Sequence, residues 1–224
     1  MGLLFTNAAD QHVECSSAVS LEGFTAFTVW AWVFPMAAPD GAIDRIFSRN
    51  LRYFCESNVA ASSYRIQVNC ATTNAVAQGA ANTLIVGQWE FAVATYDETD
   101  GPRIFKGTLA MPVAEIAYNA APTVGSGGTV SDAGEILYWG NRVSPNTNSF
   151  DGRIAAAAYI NRRLLLGEIQ TLRLHPRKVP GTVCMIHFGA GGPLKQIDRS
   201  GFGNHGFNVG GAMSIDPPVD WSNL

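Results

Sequence analysis

The chain has 224 residues, 47% hydrophobic and only 15% charged, with a net charge of −3 and a mean hydropathy of +0.07. That length and apolar fraction suit one large β-rich domain with a sizeable core, and the lack of a basic excess leaves no electrostatic footprint for DNA or RNA. No apolar run approaches the ~18 residues of a membrane-spanning helix, so no membrane insertion is expected.

The charged fraction falls below the ~25% of an ordinary globular domain, which points to surface committed to subunit contacts. MGLLFTNAADQH at the start has neither a basic n-region nor a useful apolar stretch, so no signal peptide is expected in the chain as given. It leads directly into a strand. In FTVWAWVF (27–34) neither alternate set of side chains is polar, which predicts a central strand covered on both faces. MAAPDGAID (36–44) is a loop, and Tyr53-Phe54-Cys55 and Tyr64 to Val68 alternate in the manner of half-exposed strands. Ala71 to Thr83, small and polar, reads as a long connection.

GQWEFAVATYD (87–97) predicts a second central strand. PRIFKGTLA (102–110) predicts a hairpin whose two-residue turn is Lys106-Gly107, with Gly supplying a positive φ. The Gly-rich residues 121–134 read as a mobile loop before strands resume at Ile136, and Asn141 to Ser149 as an exposed loop. A strand from Phe150 is followed by one helix, from Leu164 to about Arg173, on apolar positions 165, 166, 169 and 172. His175-Pro176 stops it. Residues 180–224 read as one more strand (Cys184 to Phe188), a Gly-rich loop and an extended tail anchored by Trp221. The whole of 1–224 is expected to form a single all-β sandwich of two antiparallel sheets with one short helix.

Taken in order, Phe27 to Val33, Gly87 to Asp97, Phe105 to Gly107, Gly140-Asn141-Arg142 and Phe150 to Ile169 resemble the motif series of laminin-G-like domains in the concanavalin A-like lectin/glucanase superfamily. LLFTNAADQHVE (3–14) is similar to that family's first strand, and DRSGFGNHG (198–206) to its SGNGNHG loop. The resemblance implies a concanavalin A-like jelly roll with roughly 5–7 strands in each sheet. It does not imply an activity, because this fold hosts many. Two departures stand out: Lys106 replaces the family's turn Asn, and DRSGFGNHG follows the core strands where many relatives carry it before them. The resemblance also implies a calcium ion at a sandwich edge, with Asp198, Asn204 and Asp10 as candidate ligands. The alternative is an Asx-type turn at Asp198 and a strained loop position at Asn204.

Catalysis finds little support in the residues. Superfamily glucanases need two carboxylates at alternate positions of one strand, within an E-x-D-x-E pattern, and none occurs. Glu90, Asp97, Glu98 and Asp100 are near one another in sequence, but 97–100 read as a polar turn. There is no G-x-S-x-G, and four scattered histidines define no triad. His12 and His187 fall in strands, and His205 is expected to buttress its own loop. DRSGFGNHG lacks the Lys-Ser/Thr ending of a phosphate cradle. Cys15, Cys55, Cys70 and Cys184 have no C-x-x-C spacing, so free buried thiols are expected, with a Cys55–Cys70 pair as the other option.

Sugar binding needs an exposed aromatic beside planar polar groups. Trp30, Trp32, Trp89 and Trp139 read as core, which leaves Asn141, Arg142, Asn146 and Asn148 as candidate ligand-binding residues. The expectation is a non-enzymatic surface or adhesion protein of a virus particle, such as a phage capsid decoration protein or tail-fibre module, at the virion surface or otherwise extracellular. It would form a homo-oligomer or contact other virion proteins, and could recognise a cell-surface glycan. The alternatives are a carbohydrate-binding module of a larger secreted protein or, third, a polysaccharide hydrolase or lyase.

Overall fold

A computed structural model describes residues 2–6, 11–15, 17–39, 43–49, 52–57, 62–141, 149–190 and 192–214. Strands are numbered in chain order. The first sheet runs β10 (Ala114–Glu115), β9 (Arg103–Gly107), β8 (Glu90–Asp97), β3 (Ala26–Pro35), β12 (Gly152–Ile160), β1 (Gly2–Phe5) and β16 (Ala212–Ser214), and β13 (Thr182–His187) also pairs with β12. The second runs β14 (Lys195–Gln196), β15 (Gly206–Val209), β2 (His12–Cys15), β11 (Leu137–Trp139), β4 (Ile43–Arg49), β5 (Arg52–Ser57), β6 (Ser63–Val68) and β7 (Ala75–Gln78). All named strand pairs are antiparallel. Among the described residues each sheet has eight strands, more than the pattern predicts. The surplus is in two- and three-residue edge strands such as β10, β14 and β16, too short to show a period.

β3 shows why the chain folds in layers. Successive side chains of a strand point to opposite faces. Phe27, Val29, Ala31 and Val33 join Phe47, Phe54, Ile66 and Trp139 in the core between the sheets. Trp30 and Trp32 face the other way, against Phe91, Ile169 and Leu172. That second cluster lies beneath α1 (Leu166–Leu174), the one α-helix among the described residues, which covers the outer face of the first sheet. At the start of α1 the Glu168 carboxylate accepts the Leu165 backbone N–H at 3.0 Å and is gripped by both terminal nitrogens of Arg162, at 3.0 and 2.6 Å. The Arg162 guanidinium holds the Glu168 carboxyl below the usual carboxylate range. Thr28 Oγ1 donates to the Arg162 carbonyl and accepts from Leu164 N, both at 2.9 Å, which locks the connection to β3.

Several local expectations are corrected. Lys106-Gly107 is not the hairpin turn: both lie in β9, and Ala114 pairs with Lys106 across the hairpin. Gly107 lacks a positive φ. Its missing side chain makes room instead, since a Cβ there would stand 3.0 Å from Val113 Cγ2 and 3.1 Å from Arg173 Cδ. The turn lies over 108–113, where Arg173 Nη1 donates to the carbonyls of Thr108, Leu109 and Met111 at 2.5, 2.9 and 3.0 Å. α1 starts two residues later than predicted, because Leu165 is still extended (φ −80°, ψ 156°). Trp89 precedes β8 and is only partly buried, against Phe34.

The segment 71–83 contains β7 and is no mere connection. Residues 121–134 are fastened alongside it by bridges Val76–Thr123, Thr73–Ser126 and Cys70–Thr129. Its far end is anchored by Asp132, which lies in the interior with Arg49 and Arg52. Arg49 Nε donates to Asp132 Oδ2 at 2.8 Å, Arg52 Nη1 stands 3.3 Å from the same oxygen, and Gly23 N donates to Oδ1 at 2.9 Å. Arg52 also donates to the Tyr159 hydroxyl at 3.1 Å, and burial pushes that phenol up to about 12. Cys15, Cys70 and Cys184 carry free buried thiols, so Cys70 is not bridged to Cys55. The tail with Trp221 lies outside the described residues.

Candidate functional site

The carboxylates singled out in the sequence do not converge. Glu90 begins β8 and points into the interior, fully buried. Its Oε2 accepts from the Tyr64 hydroxyl at 2.6 Å and its Oε1 from Lys106 Nζ at 2.9 Å and Gln88 Nε2 at 3.1 Å. This explains why a lysine stands at 106: it is the cation of a buried pair. Asp97 ends the same strand and caps the following turn, accepting Thr99 N at 2.8 Å. Seven residues of extended chain separate Glu90 from Asp97 by about 23 Å, against roughly 5–9.5 Å for a glycosidase pair. Glu98 holds Thr129, and Asp100 pairs with Arg163 at 2.6 Å. Each of these acids serves the fold.

Asp198 and Asn204 do come together, and both are buried. Asp198 Oδ1 accepts Met185 N at 2.9 Å and Ser200 N at 2.8 Å, while Oδ2 accepts Ser200 Oγ at 2.6 Å and Asn204 N at 2.8 Å. The Asn204 amide donates to Ser20 Oγ at 3.0 Å and the Val183 carbonyl at 2.7 Å. Four donors on one carboxylate saturate its lone pairs. These two residues therefore do not fit a calcium ion as they stand, since a cation would have to displace N–H and O–H groups from every lobe. Their visible work is to knit the 198–206 loop to β13. Among the described residues no group of three or more metal-ligating side chains occurs, and Asp10 lies outside them. His205 Nδ1 accepts the Asp198 N–H at 3.1 Å, as a loop buttress should.

Of the four residues expected to meet a sugar, Asn141 is fully buried and its amide donates to Ser149 Oγ at 2.7 Å, closing the base of its loop. Arg142, Asn146 and Asn148 lie outside the described residues.

A different place has the features that sugar binding requires. The turn after α1 and the 198–206 loop enclose an open groove of about 620 Å³, lined by Asn161, Lys178, the 179–183 turn and Phe202. Phe202 is 57% exposed and stands between two glycines with positive φ, Gly201 at 93° and Gly203 at 77°. Only glycine takes that conformation without strain, and the resulting bend presents the ring outward. Lys178 Nζ lies 3.3 Å from where a Cβ on Gly201 would stand, so its ammonium group reaches the 198–206 loop at the residue before Phe202. Asn161 is exposed, while Thr182 is spent internally on Val179, donating to its carbonyl at 2.7 Å. The signal for Phe202 was available in Gly-Phe-Gly, an aromatic without apolar neighbours at strand or helix spacing. Its partners were not, because they come from distant segments.

No curated protein matches the chain by sequence. Solved structures do match by fold. A protein from Bacteroides ovatus described as carbohydrate-binding superposes with a TM-score of 0.67 at 13% identity, covering 97% of this chain and 60% of its own. The heptameric SAP-like pentraxin of Limulus polyphemus gives 0.56 at 14% identity, covering 77% and 81%. The enzymatically active domain of bacteriophage CBA120 tailspike protein 2 gives 0.55 at 8% identity, covering 78% and 27%. At such identities these likenesses establish the fold alone. A laminin-G-type family profile, described as the concanavalin A-like lectin/glucanases superfamily, matches residues 7–170. With that match over most of its length, the chain belongs to the laminin-G-type branch of the concanavalin A-like lectin/glucanase superfamily.

Proposed function

We propose that this protein is a non-enzymatic carbohydrate-recognition module working at a surface, with the Phe202 groove as its saccharide site. The observation that carries the reading is the exposed Phe202 side chain on an open groove that Lys178 and Asn161 also line. An aromatic face stacks on the C–H face of a pyranose, and flanking polar groups hydrogen-bond its hydroxyls. The engagement of Glu90, Asp97, Glu98 and Asp100 in structural contacts favours binding over hydrolysis. The likeness to a Bacteroides ovatus protein described as carbohydrate-binding agrees with it.

Glycan-array binding followed by calorimetry tests the proposal. Phe202→Ala is expected to weaken saccharide binding by about tenfold and to leave the unfolding midpoint unchanged. Binding that is indifferent to the substitution would move the site elsewhere.

A second reading, favoured by exposed apolar side chains, places the module in a homo-oligomer on a particle or cell surface, of which a virion is one case. Val19, Leu165 and Leu194 are 83%, 72% and 73% exposed, and Phe207 is 60% exposed. In a chain with so few charges, such positions suit subunit contacts. Light scattering on a sizing column is expected to give a symmetric oligomer; a monomer at all concentrations would reject this reading.

A further inference from the structure

Lys178 also lines a second, smaller depression next to the groove. This one has a volume of about 170 Å³ and is walled by Pro176, Arg177, Lys178, Met185, His187 and Arg199. Arg177, Lys178 and Arg199 are all exposed and come from two segments, the connection after α1 and the 198–206 loop. Three cations around one depression are a local excess in a chain whose net charge is −3. Arg177 and Lys178 make no ion pair or side-chain hydrogen bond among the described residues. The Asp198 carboxylate, next to Arg199 in sequence, is turned inward onto Met185, Ser200 and Asn204. His187, held down at about 4 by burial and then by the Arg199 charge, is neutral at pH 7, so the charge of the depression comes from Arg177, Lys178 and Arg199.

The lining is not only charged. Met185 and Pro176 give the depression an apolar wall, which suits a ring or chain carrying an anionic group better than a small hydrated anion. The 199–202 segment runs from the cationic depression to the Phe202 groove, with Lys178 common to both. A saccharide chain stacked on Phe202 would lay a neighbouring unit over the cations. Arg guanidinium groups match carboxylate and sulfate oxygens in a forked geometry that neutral hydroxyls do not exploit.

We infer that the ligand is an acidic polysaccharide, with Phe202 receiving a sugar ring and Arg177, Lys178 and Arg199 receiving the carboxylate or sulfate of an adjacent unit. This deepens the carbohydrate reading and rests on it.

The test measures binding of the full chain to polygalacturonate, dextran sulfate, a panel of neutral glucans and mannans, and polyglutamate. Salt is held at about 150 mM, where the screening length is ~8 Å. The expected result is that one of the two acidic polysaccharides binds at least about tenfold more tightly than any neutral glycan or polyglutamate, and that the Arg177→Ala/Lys178→Ala double variant loses about tenfold or more of that affinity. Which of the two binds distinguishes carboxylate from sulfate. Tight binding of a neutral glycan that is insensitive to the double variant would overturn the acidic ligand and leave the carbohydrate reading standing. Polyglutamate binding as tightly as the acidic sugars would reduce the feature to a polyanion patch and overturn the inference. Failure to bind any saccharide would overturn both readings. All the substituted side chains are exposed, and an unchanged unfolding curve separates loss of binding from loss of fold.

Discussion

Glu90 is a fully buried carboxylate whose partners come from three directions: Tyr64 across the sandwich, Lys106 on the neighbouring strand and Gln88 just upstream. Burying a charge is costly unless it is paired and hydrogen-bonded, and here both conditions are met. Removing one member leaves Lys106, only 19% exposed, without its counter-charge. Glu90→Ala is therefore expected to lower stability by about 3 kcal/mol, read as a shift of the urea midpoint, whereas a catalytic Glu90 would lose activity with little change in stability. His187 supplies a pH-dependent contribution. Burial, and then the positive charge of Arg199, lower it from 6.5 to about 4, against the opposing hydrogen bond with the Pro176 backbone. Between those values the unfolded chain takes up a proton that the folded one refuses, so stability falls as pH drops through this window. Urea titrations at successive pH values should show a shallower acid slope for His187→Gln than for the parent.

At the scale of elements, contacts between segments are set by small residues as much as by large ones. Gly152 opens β12 beside Pro35 of β3, and a Cβ there would collide with the Phe34 carbonyl oxygen and the Phe150 ring. A backbone atom cannot swing aside as a side-chain tip can. Gly152→Ala is expected to cost about 3 kcal/mol, measured by chemical denaturation. Gly107 and Arg173 make the same point in another form. The glycine clears space for the arginine stem, and the arginine then satisfies three carbonyls of the 108–113 turn. A two-residue turn at Lys106-Gly107 fits the local sequence rules, yet the hairpin closes later because a helix far along the chain supplies the turn's donor. β7 and the 121–134 segment were illegible for a related reason: their small and polar residues carry little apolar signal, and their order comes from partners elsewhere, β6 for β7 and residues 70–76 for the 121–134 segment.

Across the whole molecule, what was legible and what was not divides along a physical line. Burial of a strand on two faces is written locally, since the side chains from Phe27 to Val33 leave water whichever way they point. The two central strands were readable for that reason, and the sandwich with them, whereas the superfamily was read from the resemblance of the ordered motifs. Side-chain chemistry was not. Glu90, Asp198 and Asn141 look like available ligands in the sequence, and the tertiary structure turns each of them inward onto donors or acceptors of the fold. The groove at Phe202 reverses this. It is assembled from Asn161, the 178–183 turn and the 198–206 loop, segments that packing alone brings together. The amino-acid sequence by itself determined the layered β architecture, because the hydrophobic period acts between near neighbours. Which polar groups face solvent, and which cations gather around one depression, only the tertiary structure decided, because those depend on contacts between residues far apart in the chain.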